Sequence, residues 1–182
     1  TNKPSVEPNE SLANLLDGDP KTIFHSTWGD ANNETLNVYA YITIDLPEKL
    51  DKFQIYYRCR PQTGYNPRAW EIYASNDGTD WTPIRTLDYY SDNMPTGGSG
   101  QEYTSPTIDL NGEYSKLKIL QTSGEYSKNH LVLSELRIKK VIENNGGEPE
   151  KIQDAIYAIK RVPYGNEYAI NVDWLTDNPD AI

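Results

Sequence analysis

Apolar and polar residues alternate with a period of two along most of this chain, and that rhythm is the signature of half-buried β-strands rather than helices. Residues 38–46 alternate and stop at Pro47. Residues 50–57 put Phe53, Ile55 and Tyr57 on one face. Residues 69–75 set Trp70, Ile72 and Ala74 against Glu71 and Tyr73. Residues 81–87 and 103–110 read as extended, and residues 116–122 show the cleanest alternation, with Leu117, Ile119 and Gln121 on one side. Residues 132–140 form the last strong strand, with Leu136 and Ile138 inward. Between these runs lie breakers: Asn76-Asp77-Gly78-Thr79-Asp80, the loop 91–100, Asn111-Gly112 and the polar segment 123–129. Seven or eight short strands with such turns predict an all-β fold, an antiparallel β-sandwich or jelly roll. Its core would lie between two sheets about 10 Å apart.

The first 143 residues carry this pattern. Residues 142–149 read as a linker, and residues 144–182 as a C-terminal extension or the start of a further domain. Within the extension, residues 150–161 place Ile152, Ala155, Ile156 and Ile159 on one helical stripe, and residues 168–174 alternate like a strand. Forty residues of this kind are too few for a core of their own.

Charge narrows the function. With 182 residues the chain fits one domain with an appendage, and its net charge of −10 disfavours nucleic acid, whose phosphates need a basic face. The same charge disfavours an anionic membrane surface, and no apolar stretch is long enough for a spanning helix. Fourteen Tyr and four Trp against two Phe point to half-wet aromatic surfaces, as recognition loops use, although Tyr and Trp also favour strands. The single cysteine, Cys59, allows no internal disulfide and sits in a strand-like run as a small buried hydrophobe. Compartment is not legible at Thr1-Asn2-Lys3-Pro4, an abrupt opening that fits a mature or trimmed product.

Catalysis finds little support. Asp30, Glu34, Asp88 and Asp92 fall in loops without the spacing of a glycosidase pair, and His25 and His130 have no nucleophile motif beside them. The opening stretch 14–28 holds more chemistry. Asp17-Gly18-Asp19-Pro20 is a tight turn, followed by Thr22 and by His25-Ser26-Thr27-Trp28. That crowd of oxygens suits a hard cation such as Ca²⁺, which takes roughly six to eight oxygen ligands. A capped helical turn over residues 12–16 followed by a polar loop explains the same residues.

These segments together resemble a known family. Leu16-Asp17-Gly18-Asp19-Pro20-Lys21-Thr22-Ile23-Phe24-His25-Ser26 is similar to the opening of discoidin, or coagulation-factor type C, domains, with Phe24 where Trp is usual. Tyr41-Ile42-Thr43-Ile44-Asp45-Leu46, Tyr57-Arg58-Cys59-Arg60, the block from Asn66 to Trp81, and Leu133-Ser134-Glu135-Leu136-Arg137-Ile138 follow in the family's order, over about residues 5 to 141. Within the family the chain most resembles carbohydrate-binding module family 32. The resemblance implies a galactose-binding-like jelly roll and a structural Ca²⁺ held by Asn14, Asp17, Asp19, Thr22 and Glu135. It implies a non-catalytic module that binds terminal galactose or N-acetylhexosamine glycans. Such a module is tethered to a catalytic or surface-anchoring domain of an extracellular, cell-surface or periplasmic protein. His25, Arg60 and Asn66 match the polar group that contacts sugar, with Arg58 a substitute for Arg60 and Arg68 a weaker candidate. The stacking ring is one of Trp28, Tyr65, Tyr89, Tyr90 and Tyr126. Trp70 and Trp81 are expected in the core, and His130 outside the site. Other discoidin relatives are adhesion domains for protein or lipid, usually through apolar or basic spikes; the polar loops and acidic charge here place that reading second.

Overall fold

The computed structural model describes residues 1–5, 7–27, 39–96, 99–125 and 130–141, and the backbone of 156–164 and 167–175. Two single 3-10 turns, Pro8–Glu10 and Leu12–Leu15, lead into the strands. The strands are β1 (Phe24–His25), β2 (Tyr41–Cys59), β3 (Pro67–Ser75), β4 (Thr82–Asp88), β5 (Glu102–Thr104), β6 (Ile108–Gly124), β7 (Val132–Lys140), β8 (Ile156–Tyr164) and β9 (Glu167–Leu175). The main order is β1-β7-β2-β6-β3-β4, with β5 also on β2, and all these pairings are antiparallel. The chain is an antiparallel β-sandwich, as its alternation predicts.

Two breaks expected from Pro47 and from Asn111-Gly112 are bends within long strands instead. β2 pairs with β6 from Tyr41 to Phe53 and with β7 from Phe53 to Cys59, and its register shifts between Asp45 and Leu50. One strand therefore serves two ladders. A proline is tolerated at such an irregularity because no ladder amide is needed there. In β6 the bend falls at Asn111, which takes φ 52°, a left-handed conformation that Asn adopts more readily than most residues.

The inward residues form one core. Phe53, Ile55, Tyr57 and Cys59 of β2 join Trp70, Ile72 and Ala74 of β3 and Leu117 and Ile119 of β6, all buried. Each large apolar side chain removed from water contributes about 1.5–3 kcal/mol. Trp70 lies against Tyr57 with ring centroids 4.7 Å apart. Trp81 is not in this core. It sits half-buried beyond β3, donates from its indole nitrogen to the Gly78 carbonyl at 3.0 Å, and stacks 4.6 Å from the Lys118 ammonium. Tyr73 takes the same ammonium at 4.6 Å. The turn before Trp81 is held by Asp77, whose Oδ1 accepts from the amides of Thr79 and Asp80 at 2.8 and 2.9 Å. Those donors hold its carboxyl down at about 2.

The helix expected over 150–161 is overturned where the structure describes it. Ile156–Tyr164 is a strand that pairs antiparallel with β9, from Ile156↔Leu175 to Tyr164↔Glu167. The β-branched and aromatic residues of this stretch fit a ladder better than a helical stripe. β9 in turn meets β2 in parallel at Asp45↔Asn171. The expected linker, residues 142–149, lies outside the described residues. No described helix is long and apolar enough to cross a membrane.

Candidate functional site

Strand β1 has two residues, yet two candidate sites depend on it. It pairs with β7 through Phe24↔Leu133 and His25↔Val132. Phe24 is fully buried, so the side chain that replaces the family's Trp anchors the strand in the core. Continuing the register two residues backward brings Thr22 opposite Glu135. Continuing it forward brings Ser26 to Leu131, where Ser26 N–H donates to the Leu131 carbonyl at 3.0 Å and Leu131 N–H to Ser26 Oγ at 2.9 Å.

At the first level, the turn predicted at Asp17-Gly18-Asp19 forms as written, with Gly18 at φ 74°. The Thr22 hydroxyl donates to Asp17 Oδ2 at 2.7 Å and lies 3.0 Å from the Asp19 carbonyl oxygen. Asp17 Oδ1 accepts from Asp19 N–H at 2.8 Å. The Asn14 amide nitrogen is committed to the carbonyls of Asn9 and Ile23, both at 2.7 Å, which holds its backbone beside the turn. Glu135 is buried at 3% exposure. Its Oε2 accepts from Arg137 at 3.1 Å, while its Oε1 is buried with no hydrogen-bond partner. Burial raises its pKa, Arg137 opposes that rise, and the Asp17 charge adds to it. A buried, orphaned carboxylate oxygen that feels the Asp17 charge, with the Thr22 hydroxyl and the Asp19 carbonyl grouped at Asp17, is a donor set that fits a hard cation. Among the described residues no three His, Cys, Asp or Glu side chains converge on one point; the set here is instead two carboxylates with neutral oxygens.

At the second level the groups are cationic and aromatic. His25, Tyr65 and His130 form a triangle of rings, with centroids 5.9 Å apart for His25–Tyr65, 5.9 Å for His25–His130 and 6.1 Å for Tyr65–His130. The Arg60 guanidinium lies over Tyr65, 5.1 Å from its centroid, and its Nε donates to Gln62 Oε1 at 3.1 Å. Tyr65 reaches this place through a left-handed backbone, φ 63°, after Gly64 at φ 87°. An aromatic residue in that region is strained, a feature that clusters at ligand sites. Asn66 follows, buried, with its amide nitrogen donating to Glu125 Oε2 at 3.2 Å, while Glu125 N–H donates to the Asn66 carbonyl at 2.9 Å.

Burial, with the charges of His130 and Arg60, pushes His25 down to about 4, and this outweighs Glu10, whose Oε2 lies 3.4 Å from Nδ1. Burial and Lys3 also lower His130. Both imidazoles are neutral at pH 7, each with one donor and one acceptor nitrogen. The rim thus offers a planar charged donor, flat rings and neutral imidazoles.

Of the residues singled out for sugar contact, His25, Arg60 and Tyr65 lie together, while Asn66, next to Tyr65 in the chain, is buried against Glu125. Trp28 and Tyr126 lie outside the described residues. Arg58 is occupied elsewhere, paired with Glu102 at 2.9 Å. Sequence reasoning excluded His130 and did not consider Glu125; the structure brings both to the cluster. Their legible signal was position, since both fall in or beside the polar segment between β6 and β7.

The profile of the F5/8 type C domain matches residues 1–132. No curated protein matches. Among solved structures, the C-terminal domain of a chitobiase from Bacteroides fragilis is 20% identical over 79% of this chain and 91% of that one, with a TM-score of 0.55. The CBM32-1 and CBM32-2 domains of Clostridium perfringens ZmpB are 16% identical over 74% of this chain and 32% of that one, at 0.54. The glycoside hydrolase CpGH89 of the same organism, in complex with its substrate GlcNAc-alpha-1,4-galactose, is 21% identical over 79% of this chain and 14% of that one, at 0.51. This chain therefore spans a minor part of the latter two, and at these identities the likeness is one of fold. With the profile covering most of the chain in the order that its strands follow, the chain belongs to the F5/8 type C domain family.

Proposed function

We propose that this domain is a non-catalytic carbohydrate-binding module for terminal galactose or N-acetylhexosamine glycans. One observation carries the reading: Arg60 stacked 5.1 Å from the Tyr65 centroid, beside His25 and His130 on one rim, with Asn66 next to Tyr65 in the chain. Pyranose hydroxyls come in pairs that suit a guanidinium, a carboxamide and neutral imidazoles, while the sugar's C–H face suits an aromatic ring. Tyr65 is the ring the described residues favour; Trp28 and Tyr126 remain proposals from resemblance. The solved relatives support the class, being carbohydrate-binding modules by name or parts of glycoside hydrolases. The module comprises residues 1–143, with 144–182 as its extension. We assign it to an extracellular, cell-surface or periplasmic protein in which an attached catalytic or anchoring domain gains from high local glycan concentration.

The acidic turn supplies the ligands proposed for a structural cation. Asp17, Thr22, Asp19, Asn14 and Glu135 would hold Ca²⁺, which would neutralise the buried Glu135 and fasten the turn to β7. The reading is tested with a glycan array probed by multivalently displayed protein in calcium-containing buffer. Binding to galactose-type or N-acetylhexosamine-type termini is the expected result. A blank array from folded protein overturns it and favours an adhesion domain.

A further inference from the structure

We propose that Arg137 is the resident counter-cation of Glu135, standing in for the proposed Ca²⁺ when the metal is absent and sharing the carboxylate with it when it is bound. The inference rests on the cation reading of the Asp17 turn. Glu135 and Arg137 are two residues apart on β7, so both belong to the same face of the strand. Arg137 Nη2 donates to Glu135 Oε2 at 3.1 Å. Oε2 is thereby taken, while Oε1 is buried with no hydrogen-bond partner. The two oxygens of one carboxylate are divided: one is bound by a guanidinium, and the other has lone pairs to give to a metal. The Glu135 side chain is 4% exposed and that of Arg137 31%, so the negative charge lies inside and its counter-charge at the water's edge.

No other cation does this work at Glu135. Among the described residues Arg137 is its one ion-pair partner. Arg58 stands directly opposite Glu135 in the β2–β7 ladder, but its Nη1 is committed to Glu102 at 2.9 Å. Arg137 is in turn fixed from across the ladder. It pairs with Tyr56, and its guanidinium lies 5.5 Å from the centroid of that ring. A planar guanidinium stacked on an aromatic face is pre-organised for its hydrogen bond, so little freedom is lost in making it. Asp17, whose Oδ2 accepts from the Thr22 hydroxyl at 2.7 Å, adds a second negative charge to the same region. Two carboxylates against one guanidinium leave a deficit that a divalent cation fills. Without that cation, Arg137 alone keeps a buried carboxylate from standing uncompensated, a strongly destabilising state.

The test measures melting temperatures of the full chain as wild type, Arg137→Met and Arg137→Met/Glu135→Gln, after chelation and again in saturating calcium. Calcium is also titrated calorimetrically into each stripped protein. Without metal, Arg137→Met is expected to melt about 5–10 °C below wild type, as removal of one partner of a largely buried pair does in a chain of this size. Adding Glu135→Gln should return much of that loss, because the charge left behind is gone. In calcium the deficit should shrink by about half, and by linkage Arg137→Met should bind calcium about tenfold more tightly than wild type. A deficit that is equal with and without calcium, and that Glu135→Gln does not relieve, overturns the proposal; the cation reading then stands if wild type itself gains from calcium. No calcium gain in wild type or Arg137→Met overturns the cation reading and the stand-in role together. Should Arg137→Met fail to fold without metal, Arg137→Lys decides: it keeps the charge and should fold, and an equally unfolded Arg137→Lys that calcium does not rescue overturns the proposal.

Discussion

The acidic turn and the cationic rim hang from the same two-residue strand, yet they solve opposite electrostatic problems. Before β1, Asp17 and the buried Glu135 are drawn together, and Glu135 titrates high because burial and a like charge both oppose its ionisation. After β1, Arg60, Lys3 and two imidazoles gather, and both imidazoles titrate low. The first region would be relieved by the proposed cation; the second stays neutral at the histidines and keeps one permanent charge at Arg60. The difference teaches that β1 separates an acidic, oxygen-rich turn from a ring-lined rim, the proposed structural and recognition sites, although a handful of residues divides them along the chain. Stability should respond to the first and binding to the second.

Four measurements sharpen or break that separation. The largest effect should come from neither region. Trp70→Ala removes a fully buried ring against Tyr57 and should cost about 3–5 kcal/mol in chemical denaturation. A loss below about 1 kcal/mol would mean that the two sheets do not pack as described.

Calcium comes next. Adding it to metal-stripped protein at about a hundred times its dissociation constant should stabilise the fold by about 2.7 kcal/mol. Glu135→Gln or Asp17→Asn should abolish most of that gain. An unchanged melting temperature, with no metal found by elemental analysis, breaks the assignment of the turn.

Arg60→Ala should lower glycan affinity at least about tenfold, or about 1.4 kcal/mol, with melting little changed, because its side chain is only half-buried and held by Tyr65 and Gln62 alone among the contacts described. Equal losses of binding and stability would merge the two regions.

The fourth measurement is a pH dependence. His25 titrates near 4 when folded and near 6.5 when unfolded. Between those values the unfolded chain holds more protons, so stability should decline as pH falls from about 6.5 to about 4. His25→Gln should flatten that part of the profile, read by thermal unfolding at each pH. A wild-type slope of the opposite sign would show Glu10 dominating His25.

Much of the fold was legible because alternation is a local property. Phe53, Ile55, Tyr57, Trp70, Ile72, Leu117 and Ile119 fell inward as their spacing predicts. What misled was punctuation. Pro47 and Asn111-Gly112 looked like strand ends, but a long strand passing between two ladders bends at such residues instead of stopping. Trp81 looked like core because its size suggests burial, yet its ring stacks on Lys118 outside the sheet. The stripe in residues 150–161 looked helical, and pairing with β9 overrode it. In the site, the types and positions of His25, Arg60, Tyr65 and Asn66 were readable; the companionship of His130 and Glu125 was not, because each lies over fifty residues from Arg60 in sequence.

Sequence alone determined the β-rich class, the acidic surface, the oxygen-rich turn at Asp17-Gly18-Asp19 and the inward faces of the strands, since each rests on neighbours a few residues apart. Tertiary structure alone decided that the buried Glu135 feels the Asp17 charge, that Tyr65 takes a left-handed backbone to reach Arg60 and the imidazoles, and that Arg68 stacks on Tyr89. Those contacts depend on β-ladder register between segments far apart in the chain, and register is set by burial of the whole sheet face rather than by any local run of residues.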